Sequence, residues 1–107
     1  MNICVISGEL QNNAIVRGKK TKALVFTVVT KQPASNGQSD GDADSLASFV
    51  PCVVFNPSPE LEAALTQGKG MRIELQGRVS VSRNEAADEP RSNAEVVVYT
   101  KTVRTWR

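Results

Sequence analysis

An all-β fold, a five-stranded barrel carrying one short helix, is what three features of this sequence predict. Five short apolar runs are separated by turn-forming residues. The longest alternates cleanly between apolar and polar side chains, and one capped helical segment lies between the third run and the fourth. Five strands with a single helix at that place are the layout of the OB-fold, a partly open Greek-key barrel. A plain five-stranded barrel or roll with another connection order is the alternative. At 107 residues the chain has room for one core, so residues 1–107 are expected to form one domain.

Ile3 to Leu10, ICVISGEL, reads as the first strand, ended by the turn signal at Asn12 and Asn13, with Gly8 marking a bulge or bend. VRGKKTK then turns the chain into ALVFTVVT, the second strand, where Leu24, Phe26 and Val28 share one face and Val25, Thr27 and Val29 the other. Gln32 to Ser48, QPASNGQSDGDADSLAS, is poor in apolar residues and dense in turn formers, which predicts a long mobile loop. Asp40, Asp42 and Asp44 have the spacing of a calcium loop, but the glycine and distal glutamate of that motif do not follow, so no metal site is expected.

The third strand is FVPCVVF, 49–55, with a possible start at Ser48. SPELEAALTQGKG then supplies a helix of two to three turns: Ser58 as cap, Pro59 at the first position, Glu60 and Glu62 at the positive end and Gly68 as terminator. Leu61, Ala64 and Leu65 lie on its docking face. In MRIELQGRVSVSR, the fourth strand, Met71, Ile73, Leu75, Gly77, Val79 and Val81 should be buried against a polar face of Arg72, Glu74, Gln76, Arg78, Ser80 and Ser82. NEAADEPRSN forms the next loop, and AEVVVYTKTVRTW closes the chain as the fifth strand.

The chain is 40% hydrophobic with only five aromatics (three Phe, one Tyr, one Trp), so its core must be built from aliphatic residues. Cys4 and Cys52 are too few and too far apart for a disulfide framework or a Cys-x-x-Cys site, and each sits in an apolar run, as buried thiols do. With no His and no paired carboxylates at motif spacing, acid–base catalysis has no evident carrier. Gly68-Lys69-Gly70 lacks the rest of a phosphate loop, and Ser7-Gly8 lacks the rest of a nucleophile elbow. The expectation is a non-enzyme without cofactor. No charged-then-apolar leader opens the sequence and no apolar run approaches ~20 residues, so neither secretion nor a membrane partner is expected.

FVPCVVF poses the functional question. In a strand, Phe49, Pro51, Val53 and Phe55 share one face and Val50, Cys52 and Val54 the other, and neither face is polar. One face packs on the core; the other needs a cover that is not water. Parity leaves open whether the two Phe residues are core, with the opposite face toward a subunit or solvent, or the reverse. Pro51 in mid-strand points to an edge or bulge. The net charge is only +2, but the basic residues cluster. Arg17, Lys19, Lys20 and Lys22 gather around the first hairpin, and Lys31, Lys69, Arg72, Arg78 and Arg83 fall near strand ends or on the polar face of the fourth strand.

MNICVISGEL, VFTVVT, FVPCVVF, the helix leading into LTQGKGMRIELQGRV, and AEVVVYTKTV together resemble the bacterial-type single-stranded DNA-binding proteins, over most of the chain and in order. The resemblance implies an OB-fold that binds single-stranded DNA without sequence preference in replication, recombination or repair. It makes Phe49 and Phe55 base-stacking positions, and so supplies the missing cover: unstacked bases, each worth roughly 1–3 kcal/mol and tolerant of sequence. Arg17, Lys19, Lys20, Lys22, Lys31, Lys69, Arg72, Arg78 and Arg83 would then meet phosphates, the hairpin cluster and Arg72 foremost.

The sequence departs from the family pattern. The tryptophans that often follow the second and fourth strands are absent from TKQPAS and SRNEAA, implying weaker binding or a shorter site. No acidic tail ending in Phe follows TVRTWR, which puts recruitment of replication or repair proteins by that route in doubt. A cytoplasmic protein of a bacterium, phage or mobile element, a specialised paralogue or a trimmed form would each fit. The family also implies a homodimer or homotetramer, for which the apolar edge ICVI offers a pairing surface; Tyr99 and Trp106 could sit at the subunit contact, in the barrel or on the nucleic acid, the first two being favoured. Two other functions remain open: a primosomal accessory OB-fold protein, or a protein-interaction module that does not bind nucleic acid.

Overall fold

A computed structural model describes residues 1–32, 46–84 and 91–107 of the chain. Seven strands and one α-helix follow in the order β1 (Cys4–Leu10), β2 (Ile15–Arg17), β3 (Ala23–Gln32), β4 (Leu46–Phe55), α1 (Pro59–Thr66), β5 (Arg72–Asn84), β6 (Arg91–Val98) and β7 (Arg104–Trp106), with a 3-10 turn at Thr100–Thr102 before β7. Strands pair in the order β1-β3-β4-β6-β5, and β5 returns to β1, so five strands close a ring. Every contact in the ring is antiparallel except β4 with β6, which run parallel at Cys52↔Val96 and Val53↔Val97. The five-stranded barrel with a helix between β4 and β5 is the predicted layout.

Closure turns on the kink in β1. Its first part, Cys4 to Glu9, pairs with Gly77 to Arg72 of β5, while Glu9 and Leu10 pair with Val29 and Val28 of β3. Gly8 sits where the two partners meet, and a Cβ there would lie 2.2 Å from the Val29 carbonyl oxygen. Only a residue without a side chain lets the strands approach so closely. The glycine signal thus marks a crossing of backbones within a continuous ladder.

Inward-facing Leu10, Leu24, Phe26, Val28, Cys52, Val54, Ile73, Leu75, Val96 and Val98 form the core. The end of the barrel is closed by α1, whose Leu65 is fully buried while Leu61 packs partly against the same cluster. Ser58 caps that helix, its Oγ accepting from the Leu61 amide at 3.2 Å, and Pro59 takes the first turn as expected. The Leu10 amide donates to the Met71 carbonyl and the Gly70 amide to the Leu10 carbonyl, both at 2.8 Å, so the turn after the helix is stitched to β1.

Three expectations need correction. Val16 and Arg17, expected in the turn VRGKKTK, belong with Ile15 to a short strand paired with β3. The closing strand is not continuous to Trp106: it stops at Val98, makes a 3-10 turn and resumes as β7 on the same strand, β5. The Thr102 hydroxyl accepts from the Gln76 amide at 3.0 Å, taking a ladder partner's place through the break. Finally, Val79 and Val81 are exposed. Pairing with β1 ends at Gly77, so beyond it β5 and β6 continue as a two-stranded ribbon outside the barrel. The predicted loops at 32–48 and 84–93, apart from their strand-forming ends, lie outside the described residues, as do Asp40, Asp42 and Asp44.

Candidate functional site

The outer face of β4 carries two exposed aromatic rings. Phe49 and Phe55 are 58% and 49% exposed, while Cys52 and Val54, pointing the other way, are buried. The parity question is therefore settled: both rings project outward. Between them Val53 is only 4% exposed, because Val25 of β3 and Val97 of β6 flank it in the sheet. The rings, six residues apart, lie about 20 Å from each other along the strand.

Register places the other candidates around these rings. Arg17 of β2 opposes Ala23, which opposes Phe55, so the basic hairpin borders that ring. Arg78 opposes Val97, itself opposite Val53. At the other end one row crosses five strands: Phe49, Val29, Glu9, Arg72 and Trp106. Lys31 lies two residues beyond Val29 on β3. Lys69 stands apart in the turn after α1, its amide donating to Asn13 Oδ1 at 3.0 Å. Arg83 is near the far end of β5, opposite Ser92, and its side chain lies outside the described residues.

Two concavities adjoin this face. Because β4 and β6 pair at only two positions, the β3–β4 and β5–β6 ribbons diverge, leaving a groove of about 410 Å³ lined by Pro51, Ser82, Asn93, Ala94 and Glu95. A second, of about 290 Å³, opens at the β1 kink across β3, β1, β5 and β7. Arg17, Lys19, Lys20, Lys31, Lys69, Arg72 and Arg78 are exposed and none has an ion-pair partner among the described residues. Lys22 does: its Nζ is 3.6 Å from Glu62 Oε1, a surface pair worth at most about 1 kcal/mol. Tyr99 and Trp106 are each 42% exposed, which removes the barrel interior from the three places open to them and leaves the subunit contact and the nucleic acid. Among the described residues no three His, Cys, Asp or Glu side chains gather as metal ligands, and no helix is long and apolar enough to cross a membrane.

No family model and no curated protein matches this sequence. Among solved structures the chain is similar to the SSB of Plasmodium falciparum in its complex with ssDNA, with a TM-score of 0.73 at 14% identity, over 98% of this chain and 92% of that one. The architecture is an SSB-like OB-fold. At that identity the likeness is one of fold, and it does not distinguish the bacterial-type family expected from the sequence. Within the OB-fold, β1, β3, β4, β5 and β6 are the barrel strands, and β2 and β7 are additions along β3 and β5. OB-folds take oligonucleotides and oligosaccharides on the face of their second and third barrel strands. Here those are β3 and β4, which carry the exposed rings.

Trp106 is the residue whose position the sequence concealed. Alternation in Arg104-Thr105-Trp106 puts Arg104 and Trp106 on one side, but its place beside Arg72 depends on pairing between residues 34 apart in the chain.

Proposed function

We propose that this chain binds single-stranded DNA without sequence preference, bases stacking on Phe49 and Phe55 and phosphates meeting the surrounding cations. The observation that carries this is the pair of exposed phenyl rings on β4, on the OB-fold face suited to oligonucleotides, in a chain whose fold is similar to an SSB solved with ssDNA. Arg17, Lys19 and Lys20 border Phe55, with Lys22 partly engaged by Glu62. Arg72 lies in the row of Phe49 and Lys31 beside it, Arg78 lies beside Val97, and Lys69 and Arg83 are outlying phosphate contacts. Protection of single strands in replication, recombination or repair, in the cytoplasm of a bacterium or on behalf of a phage or mobile element, is the role such binding serves.

Self-association belongs to the same proposal. Between Cys4 and Gly8, the edge of β1 that faces away from β5 pairs with no strand among the described residues, and Ile3 and Val5 are exposed beside it. An open apolar edge of this kind favours strand pairing between copies, giving a dimer or a dimer of dimers.

Titration of labelled dT oligomers, followed by anisotropy at several salt concentrations, tests the function. The expected result is length-dependent binding, tolerant of base composition, whose log affinity falls against log salt by about 0.7 per phosphate contact. Phe55→Ala should weaken it by roughly 1–3 kcal/mol with the fold intact. Absence of binding to any oligomer at low salt would replace this function with that of a protein-interaction module.

A further inference from the structure

We propose that the groove at the β1 kink is a second nucleotide subsite, in which Trp106 stacks a base while Lys31 and Arg72 hold the adjoining phosphate. It rests on the single-strand binding proposed above and extends the path of the strand from β4 to β7.

The groove is lined by Ser7, Glu9, Val29, Lys31, Arg72 and Trp106, with a volume of about 290 Å³, close to the lower bound of ordinary small-ligand pockets. Its chemistry is that of a nucleotide: one large π-face, two cations against a single carboxylate, and a small polar side chain. Trp106 is 42% exposed and belongs to no part of the core, so a large π-face with a polar N–H edge is left open at the surface, as at binding interfaces. Its position is fixed by the pairing of β7 with β5 at Arg72↔Trp106, Ile73↔Thr105 and Glu74↔Arg104.

Continuity with the β4 platform gives the occupant. Phe49 opposes Val29, Val29 opposes Glu9, Glu9 opposes Arg72 and Arg72 opposes Trp106. Facing residues of adjacent strands project to the same side of a sheet, so all five side chains share the outer surface. Four strand spacings make the track about 19 Å long, with an aromatic ring at each end. A strand leaving Phe49 along this row meets Lys31 and Arg72 before it reaches the indole. The occupant is thus a nucleotide of the bound strand, not a free nucleotide.

Trp106 is the only tryptophan in the chain, so its emission reports on the groove alone. The full-length chain is titrated with unlabelled dT oligomers of increasing length and with dTMP, while anisotropy of a labelled oligomer measures binding independently. Oligomers should quench Trp106 emission over the concentration range that saturates anisotropy, and dTMP should not. Trp106→Ala should lower oligomer affinity about five- to 150-fold, and Trp106→Phe should recover most of it. The double variant Lys31→Ala, Arg72→Ala keeps the indole and does not depend on Trp106 variants folding; it should reduce the salt slope by about 1.4, two contacts at roughly 0.7 each. Binding by anisotropy with unchanged emission, and wild-type affinity in Trp106→Ala, would overturn the subsite and leave the proposed function standing. Quenching by dTMP alone would overturn it equally. No anisotropy change with any oligomer would remove both.

Discussion

Phe49, Cys52 and Phe55 sit within seven residues of one another and answer to opposite demands. The two rings face outward, whereas Cys52 is 1% exposed and its thiol is pushed up to about 12 from 9.0, first by burial, then by Cys4 and Glu95. A thiol held protonated in this way is inert. At neutral pH iodoacetamide should modify half-buried Cys4 and spare Cys52 until the chain unfolds, as read by peptide mass after brief labelling. The folded state binds the proton more tightly than the unfolded one, so the stability due to this group is complete below pH 9 and is lost as pH rises toward 12. Denaturant midpoints should therefore fall across that range, and Cys52→Ala should flatten the decline. Equal midpoints at pH 8 and pH 11 in the wild type would contradict it.

At the scale of elements, the short structures beyond Val98 depend on a hydroxyl. Thr102 Oγ1 accepts from the Gln76 amide and donates toward the Gln76 carbonyl at 3.1 Å and the Tyr99 carbonyl at 2.6 Å. Thr102→Val preserves shape and removes these bonds. It should cost about 0.5–1.5 kcal/mol and shift Trp106 emission to the red as β7 loosens. An unchanged spectrum and midpoint would show that the three ladder pairs hold β7 unaided.

The same region shows what sequence can and cannot express. Helix α1 was legible because its signals are local: Ser58, Pro59 and the Leu61–Leu65 face all act within one turn or two. The two faces of β4 were legible as a period of two, though not which was inside, since both are apolar. The 3-10 break was hidden because Thr102 competes for a backbone partner 26 residues away, and no glycine or proline announces it. Val79 and Val81 continue the buried alternation of β5 faithfully, but where β1 ends is a property of pairing that periodicity does not carry. The basic residues were identifiable one by one; their grouping into rows with Phe49, Phe55 and Trp106 depends on registers between distant strands.

For the whole molecule, the unpaired edge of β1 has a consequence for mass. Val5 projects from it, 63% exposed, and a lysine at an edge position disfavours pairing with another chain. Val5→Lys should shift the light-scattering mass from that of a multimer to that of one chain, with circular dichroism unchanged. A wild-type protein already at the mass of one chain would end the proposal of self-association.

The kink itself has a further effect. Because Glu9 pairs with Val29 on one flank and with Arg72 on the other, β1 ties β3 to β5 and completes the ring, so neither flank can peel away without opening it. The hydrogen-bonded amide protons of Leu24 to Val29 on β3 and of Ile73 to Leu75 on β5 should then exchange with deuterium at a common slow rate, a cooperative unit with one opening event.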